Sequence, residues 1–118
     1  MDKIKNRRIL QLNELIKRDL GEIFKKELGL KREILLTITN VEVSKDLLEA
    51  KVWVSIFPFK ETQQILEKIE KIKRRIEGLL NKKISLRVFL KLKFLIDETE
   101  EKADQIEKTL RDLSKLPT

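Results

Sequence analysis

The chain contains no cysteine and no histidine. Their absence removes disulfides, zinc ribbons, thiol nucleophiles, and imidazole as base or metal ligand, and with them much of enzyme chemistry. Three glycines and two prolines leave little room for flexible linkers, and neither an internal repeat nor a low-complexity tract is present. Aromatic residues make up only 5%, so the interior has to be built mainly from Ile, Leu and Val. No apolar run approaches the roughly 18 residues of a transmembrane span, and Met1-Asp2-Lys3-Ile4-Lys5-Asn6-Arg7-Arg8 lacks a signal peptide's apolar core. A soluble cytoplasmic protein without cofactor, metal or small-molecule substrate is the expectation. No feature of the sequence signals obligate oligomerisation, so a monomer is expected.

What is abundant is charge. Charged residues make up 40% of 118 residues, with a formal net charge of +7, in a length that suits one core. The excess is localised. Between Lys60 and Lys93 stand eleven Lys or Arg against four Glu, a local surplus of seven that equals the charge of the whole chain. A basic surface so concentrated is an electrostatic footprint for a polyanion, either nucleic acid or an anionic membrane.

Hydrophobic periodicity divides the chain into elements. Ile9, Leu12, Ile16, Leu20, Ile23, Phe24 and Leu28 follow one another at three- and four-residue steps, apart from the adjacent pair Ile23-Phe24, and predict a helix from Lys3 to Leu28 that stops at Gly29. Gly21 within it costs about 1 kcal/mol relative to Ala. In Ile34 to Val43 the alternation of Ile34, Leu36 and Ile38 slips by one residue before Val41 and Val43, which predicts a strand bulged at Thr39 or Asn40. Ser44-Lys45-Asp46 reads as a turn in which Ser and Asp bond backbone amides. A second strand, Glu49 to Phe57, puts Ala50, Val52, Val54 and Ile56 on one face and Lys51, Trp53, Ser55 and Phe57 on the other, and pairs with the first as an antiparallel hairpin.

The basic region follows. Ile65, Ile69, Ile72, Ile76 and Leu79 predict a helix from Glu61 to about Lys83, with Lys68, Lys71, Arg75 and Lys82 along one flank and Glu67, Glu70, Arg74 and Glu77 on the far side. Glu67 with Lys71 and Glu70 with Arg74 have the order of helix-supporting i, i+4 pairs. A third strand is read from Ile84 to Ile96, its alternation placing Ser85, Arg87, Phe89, Lys91 and Lys93 on one face. If helices cover one side of the sheet only, its open side carries these cations and Lys51 beside Trp53, Phe57 and Phe89, an arrangement suited to phosphate contact with base stacking. Trp53 suits a cap on the core under a loop somewhat better than stacking on RNA. Asp97 or Thr99 starts a C-terminal helix with Ala103, Ile106, Leu110 and Leu113 on one stripe, ending before Pro117. That helix has three options: to cover the open sheet face, to dock beside the first helix, or to stay loosely attached.

The run Ile38-Thr39-Asn40-Val41-Glu42-Val43-Ser44-Lys45-Asp46-Leu47, followed by Ala50-Lys51-Val52-Trp53-Val54, resembles the ribosome-binding factor A family. Arg7-Arg8, Leu79-Leu80, Leu86-Arg87-Val88, Leu92-Lys93-Phe94 and Asp97-Glu98-Thr99 extend the resemblance from Arg7 to about Leu113. It implies an α+β fold, a type II KH-like domain in which a three-stranded sheet packs on helices in the order α-β-β-α-β, with an added C-terminal helix. Residues 1–97 would form the KH-like RNA-binding domain and residues 98–118 the helical extension. The implied function is non-enzymatic: binding to the free small (30S) ribosomal subunit and its 16S rRNA, and assistance in late maturation including 5′-end processing.

Two positions depart from the family pattern. Ile72-Lys73-Arg74 stands where the family has an Ala-x-Gly kink, so the long helix is expected to run straight or to bend at Gly78, without the loop-mediated phosphate clamp of ordinary KH domains. Leu90 stands where the family usually has Pro, so the third strand is expected to continue unbroken.

Three functions follow from these readings. As an assembly factor the chain would dock on rRNA phosphates through Lys68, Lys71, Arg75, Lys82, Lys83, Arg87, Lys91 and Lys93, with Arg7 and Arg8 in support. As a protein-interaction adaptor it would present the C-terminal helix or the open sheet face to an acidic partner, with a general KH-type RNA-binding module not tied to the ribosome as the other alternative. As an enzyme it would have only Asp46, Asp97, Glu98, Glu100 and Glu101 as acid or base, with no nucleophile, Gly-rich loop or ligand set beside them, and capping explains these carboxylates better.

Overall fold

The computed structural model describes residues 2–114; Pro117, the expected end of the last helix, lies outside them. The order is α1 (Asp2–Glu27), β1 (Leu35–Val43), β2 (Glu49–Phe57), a short 3-10 turn (Phe59–Glu61), α2 (Thr62–Lys71), α3 (Lys73–Ile84), β3 (Lys91–Ile96) and α4 (Thr99–Ser114). One mixed sheet runs β1-β2-β3, with β1 antiparallel and β3 parallel to β2. α1, α2 and α3 pack on the sheet or on one another. Among the described residues no helix is long and apolar enough to cross a membrane.

The core is the aliphatic one that the scarcity of aromatics requires. Ile16 and Leu20 of α1, Leu28 just past its end, Val52, Val54 and Ile56 of β2, and Ile69, Ile76 and Leu80 of α2 and α3 are almost wholly buried. Each contributes roughly 1.5–3 kcal/mol of hydrophobic stabilisation. Among the described residues the aromatic pair inside the core is Phe24 with Phe94, their rings 5.9 Å apart. Gly29 has φ +55° and ends α1 in the left-handed conformation glycine tolerates.

The hairpin forms as its residues dictate. Register slips between Ile38 and Asn40, which places the bulge at Thr39 and returns Val41 and Val43 to the core face. In the turn, Asp46 Oδ1 accepts from Ser44 Oγ at 2.6 Å and from Leu48 N at 3.1 Å, and Ser44 Oγ accepts from Glu49 N at 3.1 Å. The Ser44 hydroxyl first, and then the Leu48 amide, hold the Asp46 carboxyl below its ordinary 3.8.

The basic region departs from expectation twice. The long helix neither runs straight nor bends at Gly78; it breaks at Ile72, whose φ of −107° and ψ of 16° lie outside the helical region. The break gives each half its own support, since α2 packs on β2 while α3 packs on α1 and β3. It also cancels the phase drawn straight through residue 72: Glu77, expected on the far side, is buried, and Glu70 and Arg74 fall on different helices. Among the described residues neither of the two expected i, i+4 pairs forms, and Glu67 instead accepts from Gln63 at 3.5 Å.

The third strand is short. It covers Lys91–Ile96 only, so Ser85, Arg87 and Phe89 belong to a connecting segment and not to a sheet face. Its start is fixed by α3. Leu90 N donates to Asn81 Oδ1 at 2.8 Å and Asn81 Nδ2 donates to Leu90 O at 2.9 Å, so the Leu90 backbone is satisfied by a side chain before strand pairing begins. Leu92 N then donates to Glu77 Oε2 at 2.7 Å, and this buried carboxylate covers an outward-facing amide of the sheet edge.

α4 begins at an Asx turn in which Asp97 Oδ1 accepts from Thr99 Oγ1 at 2.6 Å and Thr99 N at 3.0 Å. The Thr99 hydroxyl, the Thr99 amide and Thr39 keep the Asp97 carboxyl below its usual 3.8. α4 buries no residue, and Ile106, Leu110 and Leu113 are 57–60% exposed. Of the three options open to it, α4 neither covers the sheet nor docks beside α1.

Candidate nucleic-acid interface

The sheet face away from the helices carries Lys51, Trp53, Ser55 and Phe57 of β2, and Lys91, Lys93 and Leu95 of β3. Lys51 sits opposite Lys93 and Trp53 opposite Leu95. Lys51, Lys91 and Lys93 are exposed, whereas Trp53 is only partly so and Ser55 is buried. Phe57 is 53% exposed but meets Phe59 edge-on, the rings 5.4 Å apart at 86°. The expected open platform therefore exists as three lysines with a half-covered Trp, not as a row of free rings.

The helix break brings further cations to β3. Lys73 and Arg74, in the first turn of α3, share a cleft with Lys91, Lys93, Phe89 and Glu49. Phe89 is 54% exposed at its mouth. The first turn of α3, which carries Lys73 and Arg74, has no acidic residue and no side-chain cap, so the positive end of its dipole is not neutralised within the helix. Glu77, which also lines the cleft, is engaged by Leu92 N. Four cations, an exposed ring and a helix N-terminus make a surface that can contact phosphates and stack one base.

The expected binding residues do not all gather there. Lys91 and Lys93 line the cleft. Arg87 is exposed on the segment leading to it. Lys68 and Lys71 are exposed near the end of α2, where Lys68 lines a different cleft with Lys31 and Lys60. Lys82 is exposed late in α3, and Arg7 and Arg8 are exposed on α1.

Two of the named cations are tied to α1. Arg75 Nε donates to Glu27 Oε2 at 2.7 Å and Nη2 to Glu27 Oε1 at 3.4 Å; the bond to Arg75 lowers the Glu27 pKa from 4.5 and raises that of Arg75. Lys83 Nζ donates to Glu22 Oε2 at 3.0 Å and likewise lowers the Glu22 pKa. Their charge is locally compensated, and their contacts fix α3 against α1.

Lys73 and Arg74 are not among the binding residues that the sequence singles out. Their signal is nevertheless there, as cations standing at the family's kink position; only a continuous helix, drawn through Ile72, turns Arg74 to the far side. Among the described residues no group of three or more Asp or Glu is placed to hold a metal ion.

The family model for ribosome-binding factor A matches residues 8–110. The chain belongs to the ribosome-binding factor A family. Relatives named ribosome-binding factor A include that of Brevibacillus brevis, 35% identical over 108 residues, covering 91% of this chain and 89% of that protein. That of Coprothermobacter proteolyticus is 33% identical over 105 residues, covering 89% and 77%. Among solved structures, the crystal structure of ribosome-binding factor A from Thermus thermophilus superposes with a TM-score of 0.66 at 30% identity, over 75% of this chain and 94% of that one. A Thermus thermophilus family model fitted into a cryo-EM map of a 30S complex matches with a TM-score of 0.59 at 26% identity, over 73% and 91%. The small α+β fold of this chain is thus the fold of the family, consistent with a KH-like domain.

Proposed function

We propose that this chain is a non-catalytic assembly factor that docks on the rRNA of the free small ribosomal subunit and assists its late maturation, including processing of the 5′ end. The observation that carries the reading is the cleft at the helix break, where Lys73 and Arg74 face Lys91 and Lys93 beside Phe89. Membership of the family supports the ribosomal partner, and a family member has been placed in a 30S complex.

In this reading residues 1–97 form the docking unit. The cleft takes the sugar-phosphate backbone, with cations on both walls and the α3 N-terminus between them. Phe89 stacks on an unpaired base, and selectivity comes from the shape of the rRNA, not from a base code. Lys51, Arg87, Lys68, Lys71 and Lys82 extend the basic surface, and Arg7 and Arg8 add a further contact along α1. Arg75 and Lys83 act indirectly, by fixing α3 to α1.

The test is binding of the purified chain to free small subunits, with Lys73→Glu combined with Arg74→Glu. Loss of binding by the double variant at unchanged thermal stability supports the reading; undiminished binding removes the cleft from the interface.

A further inference from the structure

Outside Lys60–Lys93 the charges of the chain sum to zero, yet the fold sorts them. Three carboxylates of α1 are engaged by cations: Asp19 by Arg18 at 3.5 Å, Glu22 by Lys83 at 3.0 Å and Glu27 by Arg75 at 2.7 Å. Lys17 and Lys25 of the same helix join no ion pair among the described residues, and neither do Lys31 and Arg32 in the turn that follows it. These four cations line a groove of about 470 Å³ between α1 and β1, and among the described residues no acidic one lines it.

Gly21 opens one wall of this groove. Lys17, Gly21 and Lys25 follow at four-residue steps on one helix face, so the two lysines flank the glycine with about 12 Å between them along the axis. Gly21 has ordinary helical conformation, and a Cβ built there meets nothing within 4 Å. Neither backbone geometry nor close packing therefore requires glycine where alanine would favour the helix. Its bare backbone lets a ligand approach the helix surface between two cations.

The opposite wall is a free edge of the sheet. β1 pairs with β2 alone, so backbone groups on its outer side have no strand partner. Arg32 and Leu35 of the lining are exposed. A single RNA strand uses each of these features: phosphates two nucleotides apart match the Lys17 to Lys25 spacing, the Arg32 guanidinium offers a plane for a base, and the strand edge offers amides. An acidic protein helix would meet the cations but not the strand edge, because its own backbone bonds are spent internally.

We infer that the groove between α1 and β1 is a second RNA site, holding a single-stranded segment by its phosphates, and that one copy of the chain thereby joins two RNA segments at opposite edges of its sheet. The joining rests on the reading of the β3 cleft as an rRNA site. The groove shares no lining residue with that cleft, and β2 lies between them. Two sites on one small domain hold two strands of an unfinished RNA close together and raise their effective concentration for pairing.

The test is an NMR titration of the full chain at low salt with a single-stranded RNA of about six nucleotides. Two sets of amides are expected to shift with separate affinities, those of Gly21, Lys25 and Leu36 at the groove and those of Lys73, Lys91 and Lys93 at the cleft. Lys25→Glu with Arg32→Glu weakens the first set at least tenfold and spares the second; Lys73→Glu with Arg74→Glu does the reverse. Gly21→Leu changes no charge and puts a better helix former into α1, so it weakens the groove set at least tenfold without lowering the melting temperature. Groove amides that stay still while the cleft amides shift overturn the second site and leave the cleft reading standing. Cleft amides that stay still while the groove amides shift remove the cleft and with it the joining. Undiminished groove binding by Gly21→Leu, or an oligoglutamate of equal charge that shifts the groove amides as strongly as the RNA, overturns the assignment to RNA.

Discussion

Asn81 and Leu90 hold each other by two hydrogen bonds, Leu90 N to Asn81 Oδ1 at 2.8 Å and Asn81 Nδ2 to Leu90 O at 2.9 Å. A helix side chain thus stands in for a strand partner immediately before β3, and Asn81 Nδ2 also donates to Glu77 O at 2.8 Å. Asn81→Leu leaves both backbone groups of the buried Leu90 unpaired. The expected loss is roughly 2–4 kcal/mol, read from urea denaturation. A loss within experimental error would mean that Leu90 finds other partners.

Core and exposed apolar residues should separate cleanly. Ile76 is fully buried at the α3 contact, whereas Ile106 on α4 is 60% exposed. Ile76→Ala is expected to cost about 2–5 kcal/mol, and Ile106→Ala about 0.5 kcal/mol or less. Comparable losses at the two sites, by thermal or urea unfolding, would show α4 to be packed.

Acid should loosen α1 from α3. The carboxyls of Glu27 and Glu22 are held below their ordinary 4.5, chiefly by hydrogen bonds from Arg75 and Lys83. A depressed carboxyl contributes stability that is full above its unfolded value and lost as pH falls through its folded value. The contribution of both pairs is therefore present at neutral pH and disappears below about pH 4.5. Glu27→Gln should lower the melting temperature slightly at pH 7 and flatten its fall in acid. An acid limb identical to that of the unchanged protein would exclude the pair as a contributor.

Cations of equal formal charge should count unequally toward RNA. Lys73→Ala and Lys93→Ala are each expected to reduce the slope of log affinity against log salt by about 0.7–1, the share of one phosphate contact. Arg75→Ala should leave the slope nearly unchanged, because its guanidinium is bonded to Glu27. Equal effects of all three in a filter-binding or anisotropy titration would contradict the division between compensated and free cations.

Much of this organisation was legible in the chain. The three-four spacing of α1, the phase slip at Thr39, the Ser44-Asp46 turn and the alternation of β2 are local signals, and each element forms where its residues put it. The break at Ile72 was not legible in the periodicity, because Ile65, Ile69, Ile72 and Ile76 keep an unbroken apolar line through it, and the small residues of the family's kink are missing there; α2 packs on β2 and α3 on α1, so each half has its own tertiary support. The short β3 was hidden for a related reason. Ile84, Leu86, Val88 and Leu90 alternate as a strand would, yet Asn81, nine residues away on a helix, takes the Leu90 backbone first. Of the expected interface, Lys91 and Lys93 could be read from alternation. Lys73 and Arg74 join them only through the bend, and Arg75 and Lys83 leave it through contacts with α1 that no local pattern announces.

The central claim is that the cleft at the helix break docks on the small subunit, and sedimentation tests it most directly. Free small subunits are incubated with the full chain at low salt and resolved on a sucrose gradient, with the chain followed by immunodetection. Comigration with the free small subunit is expected, lost in the Lys73→Glu and Arg74→Glu double variant and retained in Arg75→Ala. The unchanged chain remaining at the top of the gradient, or the double variant comigrating as fully as the unchanged chain, would contradict it.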